Sequence, residues 1–159
     1  MTLKINTNKI YPVFNRKLDK KVEVIVKKVI KSNWISSNGL FNRKFEHSIM
    51  KKFDIGFCSS VSSGTAALES AIFSLNLKKG DEVIIPSFTI VSCLNTILRL
   101  GLKPHIIDVD RDTWCLNLSI LKKSITKKTK AIIYVHIFGN TSEIDLISKF
   151  CKEKKNILS

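Results

Sequence analysis

The amino-acid sequence predicts an α/β fold with a mostly parallel sheet, and three observations support this prediction. From residue 55 onward, short apolar segments alternate with helical patterns of about ten residues, which is typical of βα units. Turn residues such as Lys79-Gly80-Asp81 separate the segments. The chain has 159 residues, 44% hydrophobic and 25% charged, and this length and composition can supply a buried core.

The region before this alternation has a different, helical pattern. In residues 19–32, valines and isoleucine recur on one side and lysines on the other, which predicts an amphipathic helix. Residues 33–39 have the composition of a turn. A second helix is then predicted from apolar residues that recur every four positions, namely Phe41, Phe45, Ile49 and Phe53. We interpret this stripe of phenylalanines as core.

The alternating elements follow in order along the remaining chain. The predicted strands comprise residues 55–61, 82–85, 104–109 and 131–138, with the start of a further strand at 157–158. The predicted helices comprise residues 66–75, 89–100, 118–125 and 143–155. Pro86 ends the second strand, because proline cannot donate to a β-ladder. We therefore expect two domains, a helical segment of residues 1–54 and an incomplete α/β domain of residues 55–159.

Charge and cysteine usage exclude several classes of function. The net charge of +14 comes from 23 scattered lysines and four arginines, and no basic run is interleaved with aromatic residues, so we expect no nucleic-acid partner. The four cysteines form no CxxC pair, which argues against a disulfide framework or a metal site and favours the reducing cytoplasm. The longest apolar run, residues 131–139, is too short to span a bilayer, and residues 1–16 do not resemble a signal peptide.

One segment carries the elements of an anion site. In an open parallel sheet, ligands bind at the carboxyl ends of the strands, where a helix N-terminus can hold a phosphate. The turn Ser62-Ser63-Gly64-Thr65 lies at such a junction. The hydroxyls of Ser63 and Thr65 would add donors to the backbone amides. On spacing alone, a plain N-cap formed by Ser63 is an equally good interpretation.

The order of motifs resembles the DegT/DnrJ/EryC1/StrS family of sugar-nucleotide aminotransferases, in particular those that make 4-amino sugars of the perosamine type for surface polysaccharide. Several linked motifs carry this resemblance from about residue 20 onward. They are WISSNG (34–39) with FNRKFE (41–46), SSGTAALESA (62–71), GDEVIIPSFTIVSCLNTI (80–97), GLKPHIIDVDRDTWCLN (101–117) and ITKKTKAIIYVHIFGN (125–140).

The resemblance implies pyridoxal 5'-phosphate as the cofactor and the N-terminal portion of the large domain of the aspartate-aminotransferase fold (fold type I), truncated. It implies cofactor-binding roles for Gly64 and Thr65 in the phosphate-binding turn, and for Ser63, where many members have Asn. Ile90 stands where the family commonly has an aromatic residue stacked on the cofactor ring. His136 matches the strand end beneath the cofactor.

The resemblance also implies what the chain lacks. None of its 23 lysines matches the position of the family's Schiff-base lysine, so we assign no catalytic residue. We expect an N-terminal fragment that is inactive alone and that works on a nucleotide-linked keto-sugar and an amino-acid donor, as a homodimer or with a complementing C-terminal chain. The alternatives are a sugar dehydratase of the same family, and a non-catalytic remnant or sugar-nucleotide binding module.

Overall fold

A computed structural model of the chain describes residues 17–154, so the predicted strand at 157–158 lies outside the described residues. Residue contacts divide the chain into two compact units, residues 1–60 and 61–159. None of the helices within residues 17–154 is both long enough and apolar enough to cross a membrane.

The first unit contains two helices, α1 (Lys20–Lys31) and α2 (Leu40–Phe53), which confirms both predicted helices. The Asp19 side chain caps α1 by accepting a hydrogen bond from the Lys21 amide. After α2, the Glu46 carboxylate accepts hydrogen bonds from the Ser60 amide and hydroxyl, both at 2.8 Å. These bonds, the amide first, hold the pKa of Glu46 below its ordinary value.

The second unit is built on a parallel sheet. Within residues 61–154 its strands are β1 (Glu82–Pro86), β2 (Lys103–Ile107) and β3 (Thr129–Ile132), in the order β2-β1-β3. Both pairings are parallel, and Ile84 of the central strand lies opposite His105 and Ile132. The predicted parallel α/β fold is confirmed.

Helices connect the strands and cover both faces of the sheet. They are α3 (Gly64–Ser74), α4 (Val91–Arg99), α5 (Leu118–Ser124) and α6 (Ile144–Glu153). Because successive side chains of a strand point to opposite faces, Ile84 packs into a cluster with residues of α5 and α6. Val83 and Ile85 pack on the other face with residues of α3 and α4. Burial on both sides explains the unbroken apolar run of β1.

Two predicted strands need correction. Residues 55–61 form no strand, and the sheet of the described region does not include them. An apolar segment becomes a strand only where a neighbouring strand offers a ladder, and none of the described strands pairs with residues 55–61. The strand predicted at 131–138 is also shorter. Its last ladder bond joins the Ile133 amide to the Ile84 carbonyl at 2.9 Å, because the partner strand ends at Pro86.

Candidate functional site

The predicted anion site lies at the N-terminus of α3, next to the loop that follows β1. The Thr65 hydroxyl donates a hydrogen bond to the Ser92 hydroxyl at 3.1 Å, which joins the first turns of α3 and α4. Beside this bond is an open cavity of about 370 Å³ lined by Gly64, Thr65, Leu68, Ile90 and Ser92. Its volume lies within the ordinary range of small-molecule sites, roughly 300–1,000 Å³.

Ser63 caps α3, and the cap leaves other donors of the same turn available. Its hydroxyl oxygen accepts a hydrogen bond from the Ala66 amide at 3.1 Å. The amides of Gly64 and Thr65 also belong to the first turn, where an N–H group has no acceptor within the helix. The positive end of the helix dipole adds to their attraction for an anion. The cap and the anion site are therefore compatible, since they use different N–H groups.

Gly64 leaves the backbone of this turn open. A Cβ atom added at Gly64 would meet no other atom within 4 Å, so packing inside the chain does not require glycine here. The missing side chain instead lets a ligand in the cavity approach the backbone closely. An anion at this position would meet N–H groups rather than a methyl group.

Ile90 forms an apolar wall of the same cavity. It precedes the first residue of α4, and the residue is 66% exposed although its side chain is strongly apolar. The neighbouring Ser92 adds a hydroxyl group. Thus the structure brings Gly64, Thr65 and Ile90 together around one cavity, with Ser63 next to them in sequence. Whether these residues bind a cofactor stays a prediction.

His136 lies in a different place, in the loop after β3. Its Nδ1 atom is 3.3 Å from the carbonyl oxygen of Asn140, and its ring centroid is 5.2 Å from that of Tyr134. The side chain is exposed. The structure does not place His136 among the residues that line the cavity at Gly64.

Sequence reasoning missed two residues of this cavity, Leu68 and Ser92. A signal for each was present. Leu68 lies three positions after Thr65 on the same helix, so the two share a face. Ser92 lies two positions after Ile90 at the start of α4, and small polar residues at helix starts are frequent anion ligands.

Two titratable side chains near the strand ends have structural roles. The pKa of Tyr134 is raised to about 12, first by burial and then by the adjacent Cys115 thiol. Its hydroxyl donates a hydrogen bond to the Thr141 carbonyl at 2.9 Å. Hydrogen bonds, the largest from the Thr113 amide, hold the pKa of Asp110 below its ordinary value. Both groups fix loops rather than transfer protons.

The geometry defines a class of protein: a parallel α/β domain with an open cavity at the first turns of two helices, next to the loop that follows its central strand. The family model for the DegT/DnrJ/EryC1/StrS aminotransferases matches residues 16–158, so the chain belongs to this family. It is 35% identical over 146 residues to GDP-perosamine synthase of Escherichia coli O157:H7, covering 92% of this chain and 40% of that protein. It is 34% identical over 142 residues to GDP-perosamine synthase of Vibrio cholerae, covering 89% and 39%.

Solved structures of related enzymes are also similar to this chain. The E. coli GDP-4-keto-6-deoxy-D-mannose-3-dehydratase with bound hydrated PLP matches with a TM-score of 0.86 and 28% identity, over 94% of this chain and 40% of that one. An aminotransferase from Psychrobacter cryohalolentis matches with a TM-score of 0.84 and 26% identity, over 89% and 36%. The chain thus spans about 40% of the length of the relatives it matches.

Proposed function

We propose that this chain supplies the phosphate-binding part of the active site of a pyridoxal-phosphate-dependent aminotransferase. The complete site transfers an amino group from an amino acid to a nucleotide-linked keto-sugar of the perosamine type, for surface polysaccharide. The observation that carries this proposal is the cavity at the N-terminus of α3, where Gly64, Thr65 and Ile90 meet. Family membership and two relatives named GDP-perosamine synthase support it.

The residues around the cavity fit the chemical groups of the cofactor. A phosphate needs several donors, and the site offers the amides of Gly64 and Thr65 and the hydroxyl of Ser92, which accepts a hydrogen bond from the Thr65 hydroxyl and so keeps its own O–H available. A flat pyridine ring needs an apolar wall, which Ile90 provides. When bound, pyridoxal phosphate supplies the electron sink that amino-group transfer requires.

The chain's own residues would bind and orient this group. The α3 turn fixes the phosphate end, and Ile90 keeps water from one face of the ring by apolar contact, without aromatic stacking. His136 remains a proposed site residue from the loop after β3. Since its Nδ1 faces a carbonyl oxygen, Nδ1 carries the proton in the neutral ring and Nε2 can accept a hydrogen bond.

Further parts of the proposal concern the whole protein. We propose that the Schiff-base lysine comes from sequence outside these 159 residues, since the part of this chain that matches covers only 40% of the E. coli relative. The chain is divided into two domains in this proposal. They are a helical segment of residues 1–54 and an α/β domain of residues 55–159. The protein works in the cytoplasm, and its partner is a second copy of the same chain or a complementing C-terminal chain.

A dehydratase is the second candidate function. The observation that favours it is the match to the E. coli GDP-4-keto-6-deoxy-D-mannose-3-dehydratase, with a TM-score of 0.86 over 94% of this chain. In the family resemblance, the dehydratases differ from the aminotransferases by another residue in place of the lysine. The identity of that residue in the full-length protein distinguishes the two functions.

A binding experiment tests the phosphate site. Pyridoxine 5'-phosphate is a suitable probe, because it has the ring and phosphate of the cofactor but no aldehyde to react with surface lysines. We expect calorimetry to show binding that Ser92→Ala weakens about tenfold, since a bond to a charged acceptor is lost. Ser70→Ala is the matched control, because Ser70 bonds only to the Ala66 carbonyl of its own helix. Equal affinities for the two variants would contradict the proposed site.

A second experiment tests the proposed origin of the lysine. We expect no lysine of this chain to form a stoichiometric adduct when pyridoxal phosphate is added and the mixture is reduced with borohydride. Peptide mass spectrometry would locate any adduct. A single fully modified lysine would contradict the proposal.

A further inference from the structure

Three exposed aromatic side chains meet at the carboxyl ends of the sheet. Phe88 follows β1, Trp114 follows β2 and Phe138 follows β3, and we call them the aromatic cluster. The Trp114 ring centroid lies 5.6 Å from that of Phe88 and 6.3 Å from that of Phe138, both in edge-on contacts. The three residues are 46%, 49% and 88% exposed, in the order Phe88, Trp114, Phe138. Large apolar rings are thus presented to the surroundings rather than buried in the core.

The backbone of this cluster is strained. Trp114 has a φ of 60° and Phe138 a φ of 50°, in the left-handed region that bulky residues avoid. The other non-glycine residues with positive φ in residues 17–154 are Asn, Asp or Ser, which are small and polar. Strained residues are enriched at ligand sites, and here both bulky strained residues carry rings of the same cluster.

Hydrogen bonds hold the strained loops in place. The Asn140 side-chain amide donates to the Thr113 carbonyl at 3.1 Å and so joins the loop after β3 to the loop after β2. The Trp114 amide donates to the Asp110 carbonyl at 2.8 Å. The loops therefore do not depend on burial of the rings to keep their conformation.

From this arrangement we propose that the aromatic cluster stacks the nucleobase of a nucleotide-linked sugar. This inference rests on the proposed function. Aromatic side chains are the usual platform for nucleobases, because every base presents a π-face. The position of the cluster also supports this proposal. Phe88 of the cluster and Ile90 of the cavity at Gly64 are two residues apart in the loop after β1, so both features lie at the carboxyl edge of the sheet. In open parallel sheets this edge binds ligands.

Calorimetry with GDP on the full chain tests the inference. We expect Trp114→Ala and Phe138→Ala each to weaken GDP binding about tenfold, since each removes part of the stacking surface. Phe73→Ala is the matched control, because Phe73 is 72% exposed on α3 and outside the cluster. Its GDP affinity should stay within twofold of the parent chain. Ribose 5-phosphate, which has no base, should bind all variants equally.

A conservative variant covers the case in which Trp114→Ala does not fold. Trp114→Phe should retain most of the GDP affinity, because a ring remains, and it replaces Trp114→Ala if that variant does not fold. Unchanged GDP affinity in Phe138→Ala and Trp114→Ala overturns the inference, as does a parent chain that does not bind GDP. A change in oligomeric state without a change in GDP affinity, seen by sedimentation, also overturns it and makes the cluster a contact between copies.

Pyridoxine 5'-phosphate separates this inference from the proposed function. We expect Trp114→Ala and Phe138→Ala to leave its affinity unchanged, because the cluster does not include the α3 turn. If both variants bind GDP as tightly as the parent chain while pyridoxine 5'-phosphate binding is intact, the stacking role alone is contradicted. Failure of the parent chain to bind pyridoxine 5'-phosphate contradicts the proposed function itself.

Discussion

The two ends of the parallel sheet differ in how they use their polar and apolar groups. At the amino ends, the Glu82 side chain lies within the sheet, and the residue is only 7% exposed. It accepts hydrogen bonds from the hydroxyls of Thr126 at 2.9 Å and Thr129 at 2.6 Å, and lies 3.1 Å from Nδ1 of His105. At the carboxyl ends, the rings of the aromatic cluster are exposed, and the backbone of Trp114 is strained. The amides in the first turn of α3 have no acceptor within the helix.

This difference separates stability from function along the same three strands. Burial alone would raise the pKa of Glu82, but hydrogen bonds from Thr129, Thr126 and His105 outweigh it and hold the pKa below its ordinary value. The amino ends thus satisfy their own charges and join β1 to β2 and to the segment that begins β3. The carboxyl ends leave groups available to a ligand. Variants at the two ends should therefore affect different properties.

The largest effect is expected at the amino ends. Glu82→Ala should lower the free energy of unfolding by about 3 kcal/mol, because it removes the carboxylate that accepts from the buried Thr129 hydroxyl and lies beside His105. Urea denaturation followed by circular dichroism measures the change. The control is Glu69→Ala, which removes the ion pair with Arg99, whose side chain is 70% exposed. A loss of no more than about 1 kcal/mol is expected there, and similar losses for the two variants would remove the distinction between buried and exposed carboxylates.

The more conservative variant Glu82→Gln, studied over a range of pH, tests the contribution of the Glu82 charge to stability. Since the pKa of Glu82 is lowered on folding, its charge stabilises the fold above the unfolded pKa of about 4.3, and this contribution is lost as the pH falls through the folded value. Glu82→Gln should cost about 1.5 kcal/mol at pH 7. The difference from the parent chain should shrink between about pH 5 and pH 3, measured by urea denaturation. A difference independent of pH would contradict the role of the charge.

The sequence predicts the core of the fold well because the elements there have local signals. The helices and the central strand follow from apolar periodicity, and Pro86 ends β1 as expected. The strand predicted at 55–61 is wrong, because apolar composition cannot show whether a neighbouring strand exists. The amino-end cluster was not predicted either. Glu82 and Thr129 are 47 positions apart, and only the parallel register brings them together.

The candidate site could be predicted in part for the same reason. Ser63, Gly64 and Thr65 are adjacent in sequence, so a local motif indicates the turn. Ile90 joins them only through the packing of α3 against α4, and the family resemblance supplied that residue. The aromatic cluster has no sequence signal, since its three rings come from three separate loops.

Ser63 tests whether the cap at the carboxyl ends is needed for stability. Ser63→Ala should lower the free energy of unfolding by about 1 kcal/mol, because the Ala66 amide loses its acceptor. Ser63→Asn should stay close to the parent chain, since asparagine is an equally good N-cap. Thermal unfolding of the two variants measures this difference. Equal losses would show that the hydroxyl, and not the cap, is what the turn requires.

The smallest effect should have the opposite sign, and it lies at the aromatic cluster. Phe138→Asn should raise the free energy of unfolding by about 0.5 kcal/mol, because asparagine tolerates the left-handed backbone that costs phenylalanine about 1–2 kcal/mol, while only a small ring contact is lost. Phe57→Asn is the control, since Phe57 is 82% exposed without positive φ. Urea denaturation should show a gain for Phe138→Asn alone. A loss there would mean that Phe138 stabilises the fold as the buried groups at the amino ends do, and the functional contrast between the two ends would fail.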